Sequence, residues 1–117
     1  MEILLLLLIK HAIADLGLQG YIEGTKDKYF SAKLWVHGFH HGIGTFIVLA
    51  ICQIDGLIAL PLAFLDIFLH CQIDYIKTRY ITRRNINFET REFWWIQAID
   101  QILHYLTYFL LVGLALG

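Results

Sequence analysis

Residues 56–75 read GLIALPLAFLDIFLHCQIDY, an apolar stretch long enough to cross a lipid bilayer as one helix. A transmembrane helix needs about 20 mostly apolar residues to span a hydrocarbon layer about 30 Å thick. Three further stretches meet this requirement once a few polar residues are allowed, namely 2–20, 33–54 and 93–116. Because these four segments use most of the chain, the sequence predicts an all-α, four-helix transmembrane bundle that forms a single integral membrane domain, 1–117.

The composition agrees with a protein whose main partner is the lipid bilayer. The chain is 58% hydrophobic and 16% charged, whereas soluble domains carry about 25% charged residues. A soluble enzyme and a disordered segment are therefore disfavoured, and a formal net charge of −1 gives no support for nucleic-acid binding. Cys52 and Cys71 lie in apolar stretches without the CxxC spacing of a zinc site, so we expect both to be reduced.

The basic residues predict the orientation of the bundle. Lys26, Lys28 and Lys33 lie in or beside the link between the first two segments, and five more basic residues lie between positions 77 and 91. The C-terminal LVGLALG contains none. Since basic links stay on the cytoplasmic side, we expect a multi-pass inner-membrane protein with both of these links in the cytoplasm and both termini outside.

Polar residues inside the four apolar segments are the unusual feature of this sequence. Each segment carries titratable side chains four residues apart, which places them on one face of a helix. With their polar neighbours they are His11, Asp15 and Gln19; His37, His40 and His41; Asp66, His70 and Asp74; and Asp100, Gln101 and His104. A rise of about 1.5 Å per residue puts them about 5–17 Å inside the cytoplasmic end. The sequence therefore predicts one His/Asp cluster in the cytoplasmic half of the bundle.

Three interpretations of this cluster remain open. Imidazoles and carboxylates on facing helices are the ligands of zinc, manganese and iron sites in helical bundles, and a bound metal ion can generate hydroxide for hydrolysis. The side chains could instead only join the helices by hydrogen bonds. A relay for protons or metal ions is the third interpretation, although Gln53 and Asp55 are almost the only polar residues toward the outer side. We favour a metal, because four pairs at one depth exceed what adhesion needs.

Three ordered motifs resemble a family of small bacterial and phage membrane proteins, the domain of unknown function 3307. They are HAIAD at 11–15 followed by Gln19 and Lys26, HCQIDYIK at 70–77, and DQILH at 100–104. The resemblance implies a four-span bundle with functional histidines and aspartates, including one histidine on the second span. His37 and His41 compete for that position, and we prefer His41. The pattern is also similar, more loosely, to inner-membrane metal-dependent hydrolases, which implies a reaction only by analogy.

The motifs and the depth of the cluster together favour a membrane-embedded metal-dependent hydrolase. The expected ligands of a divalent metal, with zinc first and manganese or iron as alternatives, are His11, Asp15, His41, His70, Asp74, Asp100 and His104. Either Asp74 or Asp100 is the expected general base. The expected supporting polar residues are His37, Asp66, Gln19 and Gln101.

Lys77 and Lys26 lie toward the cytoplasmic end and are expected to bind an anionic group of the substrate. The depth of the cluster favours a lipid-linked or amphiphilic phosphoester. The first alternative is a non-catalytic metal-binding membrane protein of bacterial or phage origin that binds a host or envelope partner. The second alternative is transport of protons or metal ions, and a homo-oligomer is compatible with all of these functions.

Overall fold

The chain folds into four helical units without β-structure in the part that the computed structural model describes, residues 2–18 and 25–117. Helix α1 spans Glu2–Ala12 and continues as a π-helical segment over Ile13–Leu18. Three longer helices follow, α2 over Ala32–Ile51, α3 over Gly56–Arg83 and α4 over Arg91–Leu116. The predicted all-α four-helix bundle is therefore confirmed.

Each of the three long helices begins where a short polar side chain caps it. The capping oxygens of Ser31, Asp55 and Thr90 accept hydrogen bonds from the backbone N–H groups of Leu34 (3.2 Å), Leu57 (2.7 Å) and Phe93 (3.3 Å). A capping side chain satisfies one of the N–H groups that have no partner inside the helix. These caps fix the starts of α2, α3 and α4.

The helix bounds differ from the predicted spans at three places. Helix α2 ends before residue 54, because Gln53 adopts a left-handed backbone conformation with φ of 62°. Helix α3 continues past residue 75 to Arg83, so its basic residues are helical rather than part of a loop. The connection to α4 is correspondingly short and covers residues 84–90.

The exterior of the bundle is apolar. Helices α2, α3 and α4 are each long and apolar enough to cross a membrane. Large apolar side chains cover their outer faces, with Leu57 87% exposed and Trp95 69% exposed. A soluble monomer does not leave a surface of this kind in water, whereas lipid tails solvate it. The chain is therefore a membrane protein. Residues 19 and 20 of the predicted first span lie outside the described residues.

The interior is divided into an apolar half and a polar half. The apolar core combines the start of α1, the end of α2, the start of α3 and the end of α4, so consecutive helices run antiparallel; it consists of Ile3, Leu7, Val48, Leu49, Ala59, Leu62, Tyr108 and Leu111. The links 25–31 and 84–90 lie at the opposite end, which we call the basic end. The titratable side chains fill the half of the bundle next to the basic end.

Two glycines allow α2 to approach α3 closely. A Cβ atom at Gly38 would collide with the Cys71 sulfur, and one at Gly42 would collide with the Ile67 side chain. This close approach lets the ring of His41 stack on the ring of His70, with 3.6 Å between the centroids. The glycines therefore bring the histidines of α2 against those of α3.

Candidate metal centre

Side chains from all four helices meet in the polar half of the bundle. They are His11, Asp15, His37, His41, His70, Asp74, Asp100 and His104. All of them are buried except Asp15, whose side chain is 21% exposed. The structure thus brings together all seven predicted ligands, and it adds His37.

The first group that could hold a metal ion consists of Asp15, His37, His41 and His70. Each of the four offers one ligand atom, and these atoms lie within 4.8 Å of one another. One oxygen of Asp15 lies 2.9 Å from Nε2 of His37 and 2.9 Å from Nε2 of His41. The other oxygen lies 2.9 Å from Nε2 of His11, which therefore borders this group.

The second group consists of His70, Asp74 and His104. The carboxylate of Asp74 lies 3.2 Å from Nε2 of His70 and 3.2 Å from Nε2 of His104. Asp100 borders this group, with one oxygen 3.3 Å from Nε2 of His104. His70 belongs to both groups, and its ring stacks between those of His41 and His104. The two groups are therefore adjacent parts of one centre.

Several buried polar atoms of this centre have no hydrogen-bond partner within residues 2–18 and 25–117. They include both ring nitrogens of His37, both ring nitrogens of His70, and one oxygen of Asp100. A polar atom left without a partner in the interior costs about 1–3 kcal/mol. Nε2 of His37 and Nε2 of His70 face carboxylate oxygens at distances of 2.9–3.6 Å. A metal ion fits such an arrangement, because it binds the lone pairs of imidazole nitrogens and carboxylate oxygens.

His37 lies as close to Asp15 as His41 does. The sequence assigned one ligand of α2 to His41 and placed His37 among the supporting residues, but both rings lie in the first group. Nδ1 of His41 accepts a hydrogen bond from Lys10 at 3.2 Å, so its Nε2–H donates to Asp15. Nε2 of His37 lies at the same distance, 2.9 Å, from the same oxygen of Asp15. His37 and His41 are therefore both placed where they could hold a metal.

A buried network closes the centre on the side of the apolar core. The ammonium group of Lys10 donates to Asp66 at 3.1 Å and to the Tyr108 hydroxyl at 3.2 Å. Thr45 also donates to Asp66. Asp66 therefore contacts a lysine and a threonine and belongs to neither metal-binding group, whereas the Tyr108 hydroxyl is also 2.6 Å from Nδ1 of His11.

Two lysines close the centre on the side of the basic end. Lys26 Nζ lies 2.6 Å from Asp74, and Lys77 Nζ lies 3.3 Å from Asp100. Both lysines line a cavity of about 340 Å³ at the basic end, which we call the vestibule; its other lining residues are Thr25, Lys33, Thr78, Ile81 and Gln97. The vestibule has cationic and neutral walls and therefore suits an anionic group. Lys33 is a vestibule residue that the sequence did not single out.

Of the two glutamines predicted as supporting residues, the structure places one beside the centre. Gln101 lies at the edge of the centre, where its amide donates to Asp100 at 3.2 Å and its oxygen lies 3.3 Å from Nε2 of His11. Gln19 lies outside the described residues.

The comparison with known families covers almost the whole chain. The family described as a protein of unknown function, DUF3307, matches residues 3–116. The chain belongs to the DUF3307 family. The predicted resemblance to this family is thus confirmed, and all residues of the two groups that could hold a metal in this DUF3307 protein fall within the matched range. No curated protein and no solved structure matches the chain significantly.

Proposed function

We propose that the protein is a membrane-embedded metal-dependent hydrolase that cleaves a phosphate ester at the cytoplasmic face of the inner membrane. The observation that carries this proposal is the convergence of two groups of histidines and aspartates whose ligand atoms lie within 4.8 Å of one another in each group. Interhelical adhesion alone does not account for so many titratable side chains at one depth, because single hydrogen bonds between helices are enough for adhesion.

The donor set favours a divalent transition metal. Five imidazoles and three carboxylates suit zinc, manganese or iron, and the excess of nitrogen donors favours zinc among them. A metal ion bound here would supply a hydroxide nucleophile at neutral pH.

The protein's own residues supply the remaining functions of a hydrolase. Lys26 and Lys77 present ammonium groups to the vestibule and are the proposed contacts of the phosphate group. Asp100 is the better candidate for the general base, because it borders the second group without belonging to it and one of its oxygens faces Lys77 of the vestibule. Asp74 instead contacts Lys26, His70 and His104 and is the better candidate for a ligand.

The orientation is part of the proposal. The vestibule opens at the basic end, and links rich in lysine and arginine stay in the cytoplasm. The substrate therefore reaches the centre from the cytoplasmic headgroup region, and both termini lie outside.

Elemental analysis of the detergent-purified protein tests the metal. We expect near-stoichiometric zinc, manganese or iron in the wild type and its loss in the double variant His70→Ala, Asp74→Ala. His40→Ala is the control, because it also removes a histidine from a long helix, but His40 belongs to neither group. A wild-type protein without metal would refute the metal centre and favour a non-catalytic bundle held by polar contacts.

Activity is tested separately with p-nitrophenyl phosphate and with phosphatidic acid in mixed micelles. We expect hydrolysis that requires the metal, and we expect Asp100→Asn to lose activity while it keeps the metal. An Asp100→Asn protein with wild-type turnover would refute the assignment of the base.

A further inference from the structure

An apolar groove runs between α3 and α4 on the outside of the bundle. Its volume is about 250 Å³, and its apolar walls are Ile73, Ile76, Ile96, Ile99 and Leu103. Ile76 is 65% exposed and Ile99 is 55% exposed, so the groove is open to the surrounding lipid. Lys77 and Asp100 also lie along it, but the surface that the groove presents is apolar.

The groove and the vestibule meet at Lys77. This lysine lines both cavities, and its ammonium group lies 3.3 Å from Asp100. The vestibule side carries Lys26 and Lys33, whereas the groove side carries isoleucines. A single ligand that occupies both cavities must therefore be anionic at one end and apolar at the other.

The neighbouring vestibule selects among apolar occupants of the groove. A helix of a partner protein would fill the apolar groove but would leave the vestibule lysines without an anion from the same ligand. A lipid fills both cavities, because its phosphate group contacts the lysines while its acyl chain lies along the isoleucines.

We propose that the groove and the vestibule together bind one membrane phospholipid with an anionic phosphomonoester headgroup. One acyl chain lies between α3 and α4, the phosphate contacts the vestibule lysines, and the lipid enters sideways from the bilayer. The phosphate then lies next to Asp100, which borders the metal centre through His104. As a substrate site, this lipid site rests on the proposed hydrolase function and gives the class of its substrate. The binding of the lipid itself requires no metal.

Binding is tested on the full chain stripped of metal with a chelator, by native mass spectrometry in detergent. The probes are dioleoyl phosphatidic acid, dioleoyl phosphatidylcholine and glycerol phosphate. Ile99→Trp fills the groove, and Ile102→Trp is the matched control, because Ile102 is also 55% exposed on α4 but does not line the groove. Ile76→Trp fills the groove from the α3 side and serves as a second variant.

We expect phosphatidic acid to bind the wild type at least tenfold more tightly than phosphatidylcholine does. Ile99→Trp and Ile76→Trp should each weaken phosphatidic acid binding at least tenfold, whereas Ile102→Trp should bind like the wild type. Equal binding by Ile99→Trp and the wild type would overturn the chain site, and equal binding of the two lipids would overturn the headgroup site. A protein that binds phosphatidic acid as expected but contains no metal would refute the hydrolase and leave the lipid site standing.

Discussion

We expect the replacement of His70 by leucine to leave the metal-free protein at least as stable as the wild type. With metal, we expect the variant to gain much less stability than the wild type. Both ring nitrogens of His70 lack a hydrogen bond within the described residues, and the ring is 1% exposed. An unsatisfied buried polar atom costs about 1–3 kcal/mol, and leucine is an apolar residue of similar size, so the substitution leaves little cavity. Asp74 keeps its contacts with Lys26 and His104. In the metal-free protein, we therefore expect His70→Leu to be as stable as the wild type or up to about 3 kcal/mol more stable.

In the presence of metal, the order should be the opposite. A ligand at about 1,000 times its Kd stabilises a protein by about 4 kcal/mol. Zinc sites with four ligands bind with about 10–16 kcal/mol, so the loss of one ligand costs about 2.5–4 kcal/mol and weakens binding about 10²–10³-fold. At the same metal concentration, the stabilisation of His70→Leu falls to about 0.4–1.4 kcal/mol. The wild type should thus gain about 3 kcal/mol more from metal than the variant gains.

Thermal unfolding followed by tryptophan fluorescence measures both stabilities, with and without zinc, manganese or ferrous iron. His40→Leu removes a histidine that lies outside both groups, so it should keep the full stabilisation by metal. If His70→Leu gains as much stability from metal as the wild type, His70 is not a ligand. If none of the three metals raises the melting temperature of the wild type, the centre does not bind these metals.

Three further predictions test the packing and the orientation. Lys10→Met leaves Asp66 buried without its cation and should destabilise the protein by about 3–5 kcal/mol in thermal unfolding. The double variant Lys10→Met, Asp66→Asn should recover part of this stability. Gly42→Ala should lower the melting temperature because its Cβ collides with Ile67, whereas Gly113→Ala meets no neighbouring atom and should gain about 0.5–1 kcal/mol. Tags at both termini should be cleaved by a protease added outside spheroplasts, and protection of either tag would contradict the proposed orientation.

The fold and most of the centre could be predicted from the sequence because helices impose simple rules. A residue four positions away lies on the same face, so the pair His11 and Asp15 and the pair Asp100 and His104 were predictable without knowledge of the packing. The shared depth of these pairs follows from the rise per residue and the antiparallel order. Local geometry and the length of the apolar segments were therefore sufficient to place the cluster.

The features that the sequence did not predict depend on contacts between helices. His37 and His41 share one face of α2, and the family resemblance, which implies one histidine on the second span, led to the choice of His41 alone. The glycines that follow both histidines are a signal of close approach to α3, which brings both rings to His70. The π-helical segment 13–18 has no comparable signal in its residues IADLGL.

The partner of Lys10 was equally unpredictable. A lysine in the middle of an apolar segment requires a carboxylate or water, but several aspartates of other helices satisfied that requirement. Asp66 is 56 positions away, and only the packing of α1 against its neighbours selects it. Propensity and periodicity contain no information about such long-range pairs.

We expect the lysines of the vestibule to couple the binding of an anion to the binding of a metal. Lys26 and Lys77 lie against Asp74 and Asp100, and an anion in the vestibule competes with these carboxylates for the same ammonium groups. Carboxylates released from the lysines are stronger metal ligands, so an anion should tighten metal binding, and the coupling is reciprocal. Zinc affinity measured by calorimetry should therefore rise when sulfate is added, and it should rise less in Lys33→Gln, which removes a vestibule charge without a carboxylate partner within the described residues. A zinc affinity that is unchanged or lowered by sulfate would show that the lysines hold the carboxylates independently of the vestibule.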